Sequence, residues 1–139
     1  MRIAKRSMRK KGVAIGGALF AVLAIPALAQ SGSLAMLGSL TKGEWTVTYR
    51  DGSAARKICV RSGLELIRLQ HADANNCSRY VVDDDPTRVR VQYTCRGNGY
   101  GNTNIRRETS SLVQIQSEGF ESGIPFQFDA EARRTGTCR

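Results

Sequence analysis

The amino-acid sequence predicts a mainly β domain: an antiparallel meander of about seven strands, forming a curled sheet or partly open barrel, with one short helix and two disulfides. Three observations carry that reading. From Trp45 onward, short runs alternate apolar and polar residues, the period of two that marks a half-buried strand. Asp, Asn, Gly, Ser and Pro punctuate these runs at close intervals, so the connections are tight and the pairing antiparallel. Four cysteines, Cys59, Cys77, Cys95 and Cys138, stand in a chain whose first residues read as an export signal. An even number of cysteines in an oxidising compartment reads as disulfides.

The export signal comes first in chain order. Residues 1–12 carry six Lys or Arg and no acid, and Val13 to Ile25 form an uncharged apolar run that ends at Pro26. That run has thirteen residues, short of the roughly 20 that a membrane-spanning helix needs. Ala27-Leu28-Ala29 follows with the small-x-small pattern of a cleavage site, so residues 1–29 read as a signal peptide cut after Ala29. No Cys stands at the cut and no Arg-Arg pair precedes the run, which favours general secretion over lipid anchoring or the twin-arginine route. The expected location is the periplasm, with secretion as second choice and no membrane span after processing. Removal of the signal takes away six of the 21 basic residues and none of the 12 acids, leaving 15 against 12 and a net charge of +3. A nucleic-acid partner would want a basic stripe on the folded domain itself and is not expected. Residues 30–139, 110 in all, suffice for a single β-rich domain with one modest core.

Within that domain, Ser33 to Leu40 reads as a short helix. "KGEWTVTYR" alternates Trp45, Val47 and Tyr49 with Thr46, Thr48 and Arg50, a half-buried strand. Asp51-Gly52 signals a turn, and "ARKICV" resumes the alternation through Ile58 and Val60, giving a first hairpin. Ser62 and Glu65 fit a capping box, which starts a helix over Gly63 to Gln70. Its apolar residues, Leu64, Leu66, Ile67 and Leu69, spread around the helix, which implies burial on several sides. Strands then follow at Ser78 to Val82, Thr87 to Cys95, Asn102 to Thr109, Leu112 to Ser117 and Ile124 to Arg134.

"CRGNGYGNTN", residues 95 to 104, has the look of a phosphate-binding loop, but such a loop follows a strand and opens a helix. Here a strand follows, and the glycines at 97, 99 and 101 match neither the GxGxxG nor the Walker spacing. The segment reads as a hairpin turn. Val89, Val91, Tyr93 and Cys95 alternate with Arg88, Arg90, Gln92 and Thr94, and a two-residue Asn98-Gly99 turn would put Ile105 on the wrong face. An odd loop corrects this: five residues, Gly97 to Gly101, would set Tyr93 opposite Ile105 and Arg90 opposite Glu108. The same reasoning pairs Val113 with Phe128 and Ile115 with Phe126.

Candidate sites are few. Trp45, Tyr93 and Phe126 are large apolar residues that could line a ligand cavity inside the sheet. Arg88, Arg90, Arg106 and Arg133, with Arg107 and Arg134, lie on strands expected as neighbours and form a candidate anion face. "DDDPT", residues 83 to 87, lacks the spaced oxygen ligands of a calcium loop and reads as a turn. Cysteines separated by seventeen, seventeen and forty-two residues, with His71 the sole histidine, lack the clustering of a zinc site. No cofactor or metal is expected. His71 is the one candidate imidazole base, and no Ser or Cys in a nucleophile motif can be tied to it. For the disulfides, the expectation is Cys59–Cys77, clamping the helical excursion, and Cys95–Cys138, joining the last strand to the middle one. Cys59–Cys95 with Cys77–Cys138 is the alternative.

The order "GEWTVTYR", "KICV", "NCSR", "VQYTCRGNGYGNTNIRRETSSLVQIQSEG", "PFQF" and "EARRTGTCR" resembles the bacterial domain of unknown function family 3617, in a form known from alphaproteobacteria. The resemblance covers nearly the whole mature chain. Its most specific pieces are Gly43-Glu44-Trp45, Tyr93-Thr94-Cys95 with the glycine turn after it, and Gly136-Thr137-Cys138. Members commonly have an acidic residue after the Trp, where this chain has Thr46. The resemblance implies a secreted or periplasmic β-rich domain and brings no activity, substrate or catalytic residue. The expected function is non-catalytic binding of a small ligand or cell-envelope partner. The alternative is a small periplasmic hydrolase whose site is not legible in the sequence.

Overall fold

Apolar and polar residues alternate into seven strands in the computed structural model, which describes residues 34–139. They are β1 (Gly43–Tyr49), β2 (Arg56–Val60), β3 (Cys77–Asp84), β4 (Arg88–Cys95), β5 (Gly99–Thr109), β6 (Leu112–Glu121) and β7 (Ile124–Gly136), preceded by a short helix α1 (Ala35–Gly38). The expected signal peptide, residues 1–29, lies outside the described residues. All neighbouring strands are antiparallel and form one curled, unclosed sheet in the order β2-β1-β7-β6-β5-β4-β3. The run from β3 to β7 is a meander, but β1 docks on β7 rather than on β3, so the first hairpin is carried by the last strand.

The pattern in β4 shows why these residues make a strand. Val89, Val91, Tyr93 and Cys95 are buried while Arg88, Arg90, Gln92 and Thr94 are exposed, so every second side chain points into one core. Val47, Ile105, Val113, Ile115, Ala130 and Ala132 meet them from the other strands. Each of the Val and Ile side chains among them contributes on the order of 1.5–3 kcal/mol when removed from water, the two alanines less. The inner face is covered by the segment from β2 to β3, which buries Leu66, Ile67, Leu69 and His71, and by Met36 and Leu37 of α1. Thr103 on β5 fastens that segment to the sheet: its hydroxyl donates to Ile67 O at 2.7 Å and is 2.8 Å from Ser117 Oγ.

Several sequence expectations need correction. The helix expected over Gly63 to Gln70 is a single 3-10 turn, Leu64–Leu66, followed by turns. Half of the capping box forms: Ser62 N–H donates to Glu65 Oε1 at 3.2 Å, but Ser62 Oγ accepts from Leu64 N–H at 3.3 Å, and the residue that caps the turn is Gly63, without a side-chain cap bond. The four apolar residues that follow must face the sheet and α1 on different sides, which a continuous helix could not satisfy. The turn after β4 has three residues, Arg96 to Asn98, not five, and sets Tyr93 opposite Gly101 and Val89 opposite Ile105. Arg90 faces Asn104 rather than Glu108. Asn98 N–H bonds Cys95 O at 3.0 Å, and Gly97 takes φ +78°, the positive value a type II turn requires at its third residue.

Likewise β6 runs on to Glu121, and a two-residue turn, Ser122-Gly123, with φ of +50° and +82°, pairs Val113 with Ala132 and Ile115 with Ala130. Phe128 faces Ser117 and Phe126 faces Gly119 instead. Both registers are displaced by four residues, an even number, so every side chain stays on its expected face.

Both expected disulfide pairings are overturned: the bonds are Cys59–Cys138 and Cys77–Cys95. Cys77 and Cys95 are directly opposite each other on β3 and β4. Docking of β1 between β2 and β7 sets Glu44 opposite both Cys59 and Gly136, which delivers the C-terminal Cys138 to β2. The last strand returns to the first, not to the middle one.

Candidate functional site

Inside the sheet, the three aromatic residues proposed to line a cavity are not brought together. Trp45 on β1 is buried opposite Arg134, near one end of β7, and its indole N–H donates to Thr41 O at 2.9 Å. Phe126 lies eight residues away along the same strand. Tyr93 and Phe126 do converge, at either end of an inner row that crosses four strands as Tyr93, Gly101, Gly119 and Phe126. His71 lies against both aromatics, its ring centroid 5.3 Å from Tyr93 and 5.8 Å from Phe126. A Cβ on Gly101 would come within 2.5 Å of the Tyr93 ring, so the absence of a side chain is what lets that ring lie down.

His71 is 2% exposed. Its Nδ1 is 2.9 Å from the Tyr93 hydroxyl and its Nε2 is 3.4 Å from Asn98 O. A carbonyl only accepts, so Nε2 carries the proton and the Tyr93 O–H donates to Nδ1. Burial pushes the Tyr93 phenol up to about 12, with Arg68 opposing and Glu121 adding to the shift. Both ring nitrogens of the candidate base are thus engaged by a phenol and a main-chain carbonyl rather than aligned on a carboxylate.

The outer face of the sheet has a different chemistry. Directly opposed residues make rows across β4, β5, β6 and β7. One end of the face carries Tyr100, Phe120 and Pro125; the next row is Gln92, Asn102, Glu118 and Gln127. Then come Arg90, Asn104, Gln116 and Asp129, and beyond them Arg88, Arg106, Gln114 and Glu131. Three depressions of about 490, 330 and 470 Å³ follow this order. The first two share Asn102, Glu118 and Gln127, and the last two share Asn104, Gln116 and Asp129. They form one continuous furrow along the strands. Tyr100 and Phe120 are both exposed, with ring centroids 5.6 Å apart.

Asn104 sits at the middle of this furrow. Its Nδ2 donates to Gln116 Oε1 at 3.5 Å, whereas its Oδ1 is buried and has no hydrogen-bond partner among the described residues. Buried amide oxygens are ordinarily satisfied, and one left open needs a donor from elsewhere.

Of the proposed anion face, Arg88, Arg90, Arg106 and Arg133 do point outward, but three of them are paired. Arg88 lies 3.3 Å from Asp83 and 3.6 Å from Asp85, Arg106 is 2.9 Å from Glu108, and Arg133 is 3.1 Å from Glu131. Among the described residues, Arg90 alone of the four makes no ion pair. Arg107 and Arg134 reach the other way, to Ser39 Oγ and Lys42 O. The Glu131 carboxyl is held below its ordinary range by the Gln114 amide and then by Arg133. Asp83, Asp84 and Asp85 diverge, two to Arg88 and Asp84 to the Leu34 N–H. Among the described residues no cluster of three or more His, Cys, Asp or Glu is placed to hold a metal ion.

Sequence reasoning missed the furrow, although a signal for it exists. Besides Arg106 and Glu118, the outward positions of β5 and β6 include amides and aromatics at Asn102, Asn104, Gln114, Gln116, Tyr100 and Phe120, where a merely solvated face tends to carry more Lys and Glu. Among the described residues no helix is long and apolar enough to cross a membrane. Comparison with known proteins finds no matching family model, no matching curated protein and no matching solved structure.

Proposed function

We propose that this protein is an exported envelope domain that binds a polar ligand, without catalysis, through the outer face of its sheet. The observation that carries the reading is the furrow centred on Asn104: a continuous concave strip of amide side chains containing a buried amide oxygen that has no donor among the described residues. A binding site is expected to be concave with a few convergent polar groups, and the interior is filled by core side chains. The two disulfides fit an oxidising compartment, and the charged, apolar and small-x-small order of residues 1–29 supports cleavage after Ala29 and periplasmic residence. The resemblance to domain of unknown function family 3617 supports the same setting.

N-terminal sequencing and native mass spectrometry of protein recovered from its own periplasm test both parts. The expected outcome is a chain beginning at Gln30 that carries a bound species, lost when Asn104 and Gln116 are replaced by alanine. Intact Met1 in the membrane fraction would overturn the export reading. A ligand-free chain, or one whose ligand is indifferent to the furrow substitutions, would overturn the binding reading.

A further inference from the structure

We infer that the furrow binds a linear, uncharged glycan built of N-acetylated hexosamines, an inference that rests on the binding reading above and names its ligand class. Three independent features of the outer face point to that chemistry.

The first is charge. Arg50, Arg88 and Arg106 line one end of the furrow, and Asp129 lies among them. Asp83, Asp85 and Glu108 hold Arg88 and Arg106 in ion pairs, and Glu118 stands in the middle of the furrow. Arg50 and Arg90 make no ion pair among the described residues, but a polyanion filling the furrow would also have to break the Arg88 and Arg106 pairs or approach Glu118 and Asp129, and a neutral chain does neither.

The second is the amide lattice. An amide side chain offers two N–H donors and a carbonyl acceptor, the pattern complementary to an acetamido group, which has one N–H and one carbonyl. Asn104 Oδ1 is an acceptor that none of the described residues satisfies, and because it is closed to solvent a ligand reaches it once the Asn104 amide turns into the furrow. A ligand N–H bonded there would remove an unpaired buried oxygen rather than compete with water for it. Arg90, which makes no ion pair among the described residues and lines the same depression, can donate to the acetamido carbonyl.

The third is the aromatic end. Tyr100 and Phe120 are about two-fifths exposed and lie side by side on the outer face. Core-facing aromatics would be buried, and a folded monomer gains nothing by leaving two rings side by side in water. The apolar face of a pyranose ring can stack on such a pair while its hydroxyls stay solvated. From Tyr100 to Arg106 is six residues along β5, about 20 Å at the strand rise, so a ligand of several sugar units can reach from the stacking pair past Asn104.

The test is calorimetric titration of the intact mature chain with tetra-N-acetylchitotetraose, cellotetraose and a heparin oligosaccharide. The inference expects saturable binding of the N-acetylated tetramer, at least about tenfold weaker binding of cellotetraose, and none of heparin. It expects Tyr100→Ala and Asn104→Ala each to weaken the tetramer by about tenfold, the worth of one stacked or hydrogen-bonded group. Asn104→Ala should leave the melting temperature unchanged or raised, because it removes an unsatisfied oxygen. Equal affinity for cellotetraose, a preference for heparin, or no binding of the tetramer at millimolar concentration would overturn it. If a carried ligand that depends on the furrow proves not to be a glycan, the glycan inference falls while the binding reading stands. If the chain carries nothing and binds no tetramer, both fall.

Discussion

Tyr93 does three things at once: its ring occupies the space over Gly101, its hydroxyl holds His71, and its burial keeps the phenol protonated. Each can be disturbed separately. Gly101→Val would drive a Cβ to within 2.5 Å of the ring and should cost about 1–3 kcal/mol by overpacking, read as a lowered urea midpoint at unchanged slope; an unaltered midpoint would refute the close approach. Tyr93→Phe leaves Nδ1 of a buried histidine without a donor and should cost about 1–2 kcal/mol at neutral pH. Because the folded phenol is raised from 10.0 to about 12, its contribution is fully present below pH 10 and is lost as pH rises through about 12. Urea titrations across that window should show the native chain losing on the order of 2 kcal/mol from this group, a loss that Tyr93→Phe removes; parallel pH profiles would contradict the assignment. None of this was legible beforehand. Tyr93 was readable as a core residue from its alternation in β4, but a core position does not announce which hydroxyl meets which imidazole across 22 residues of chain.

At the scale of elements, the turn at Ser62–Glu65 shows how a strong local signal can produce a small structure. Glu65 accepts the N–H groups of Arg61 at 3.1 Å and Ser62 at 3.2 Å. Burial pushes its carboxyl up, and these donors outweigh burial and hold it below the ordinary 4.5. A depressed carboxylate contributes stability that is present above pH 4.5 and is lost as pH falls through the folded value. Glu65→Ala should therefore destabilise by about 1 kcal/mol at pH 7 and by progressively less below pH 4.5, a convergence that acid unfolding curves can measure. The Ser62–Glu65 contact was legible in the sequence; the helix was not, because Gly63 caps the turn and only a continuous apolar stripe continues a helix. The strands were legible in order, type and facing because a period of two survives any even error. Register was not: alternation says which face a residue takes, and the offset belongs to turn geometry, which three glycines at 97, 99 and 101 leave open to loops of three or five residues. The furrow was hidden for the same reason, since its rows exist only once Asn102, Asn104, Gln116 and Gln127 are set in register.

Across the whole molecule, the first and last strands in chain order meet, β1 lying against β7 and Cys59 bound to Cys138 across 79 positions. On the chain-entropy account, closing that loop stabilises by about 4–5 kcal/mol, against about 3 for the short Cys77–Cys95 loop. The paired replacement Cys59→Ser with Cys138→Ser should thus lower stability more than Cys77→Ser with Cys95→Ser, as judged by thermal unfolding of each variant. Disulfide-linked peptides from a non-reduced digest should join 59 to 138 and 77 to 95. The expectation of other partners failed because connectivity depends on which strands are neighbours, and nothing in the local pattern of β1 says that it waits for the last strand. That waiting has a consequence for biogenesis. On the proposed export route the chain crosses the membrane N-terminus first, so the thiol of Cys59 emerges into the oxidant while its rightful partner is still inside, and the first partners it meets are Cys77 and Cys95. Oxidation in order of arrival yields the wrong bond, and native protein then depends on thiol exchange to reshuffle it. Cells lacking a disulfide isomerase but retaining their oxidase should accumulate a Cys59–Cys77 species, visible by mass spectrometry of trapped thiols, whereas a normal yield of the native pair in such cells would show that β1 is kept from oxidation until β7 arrives.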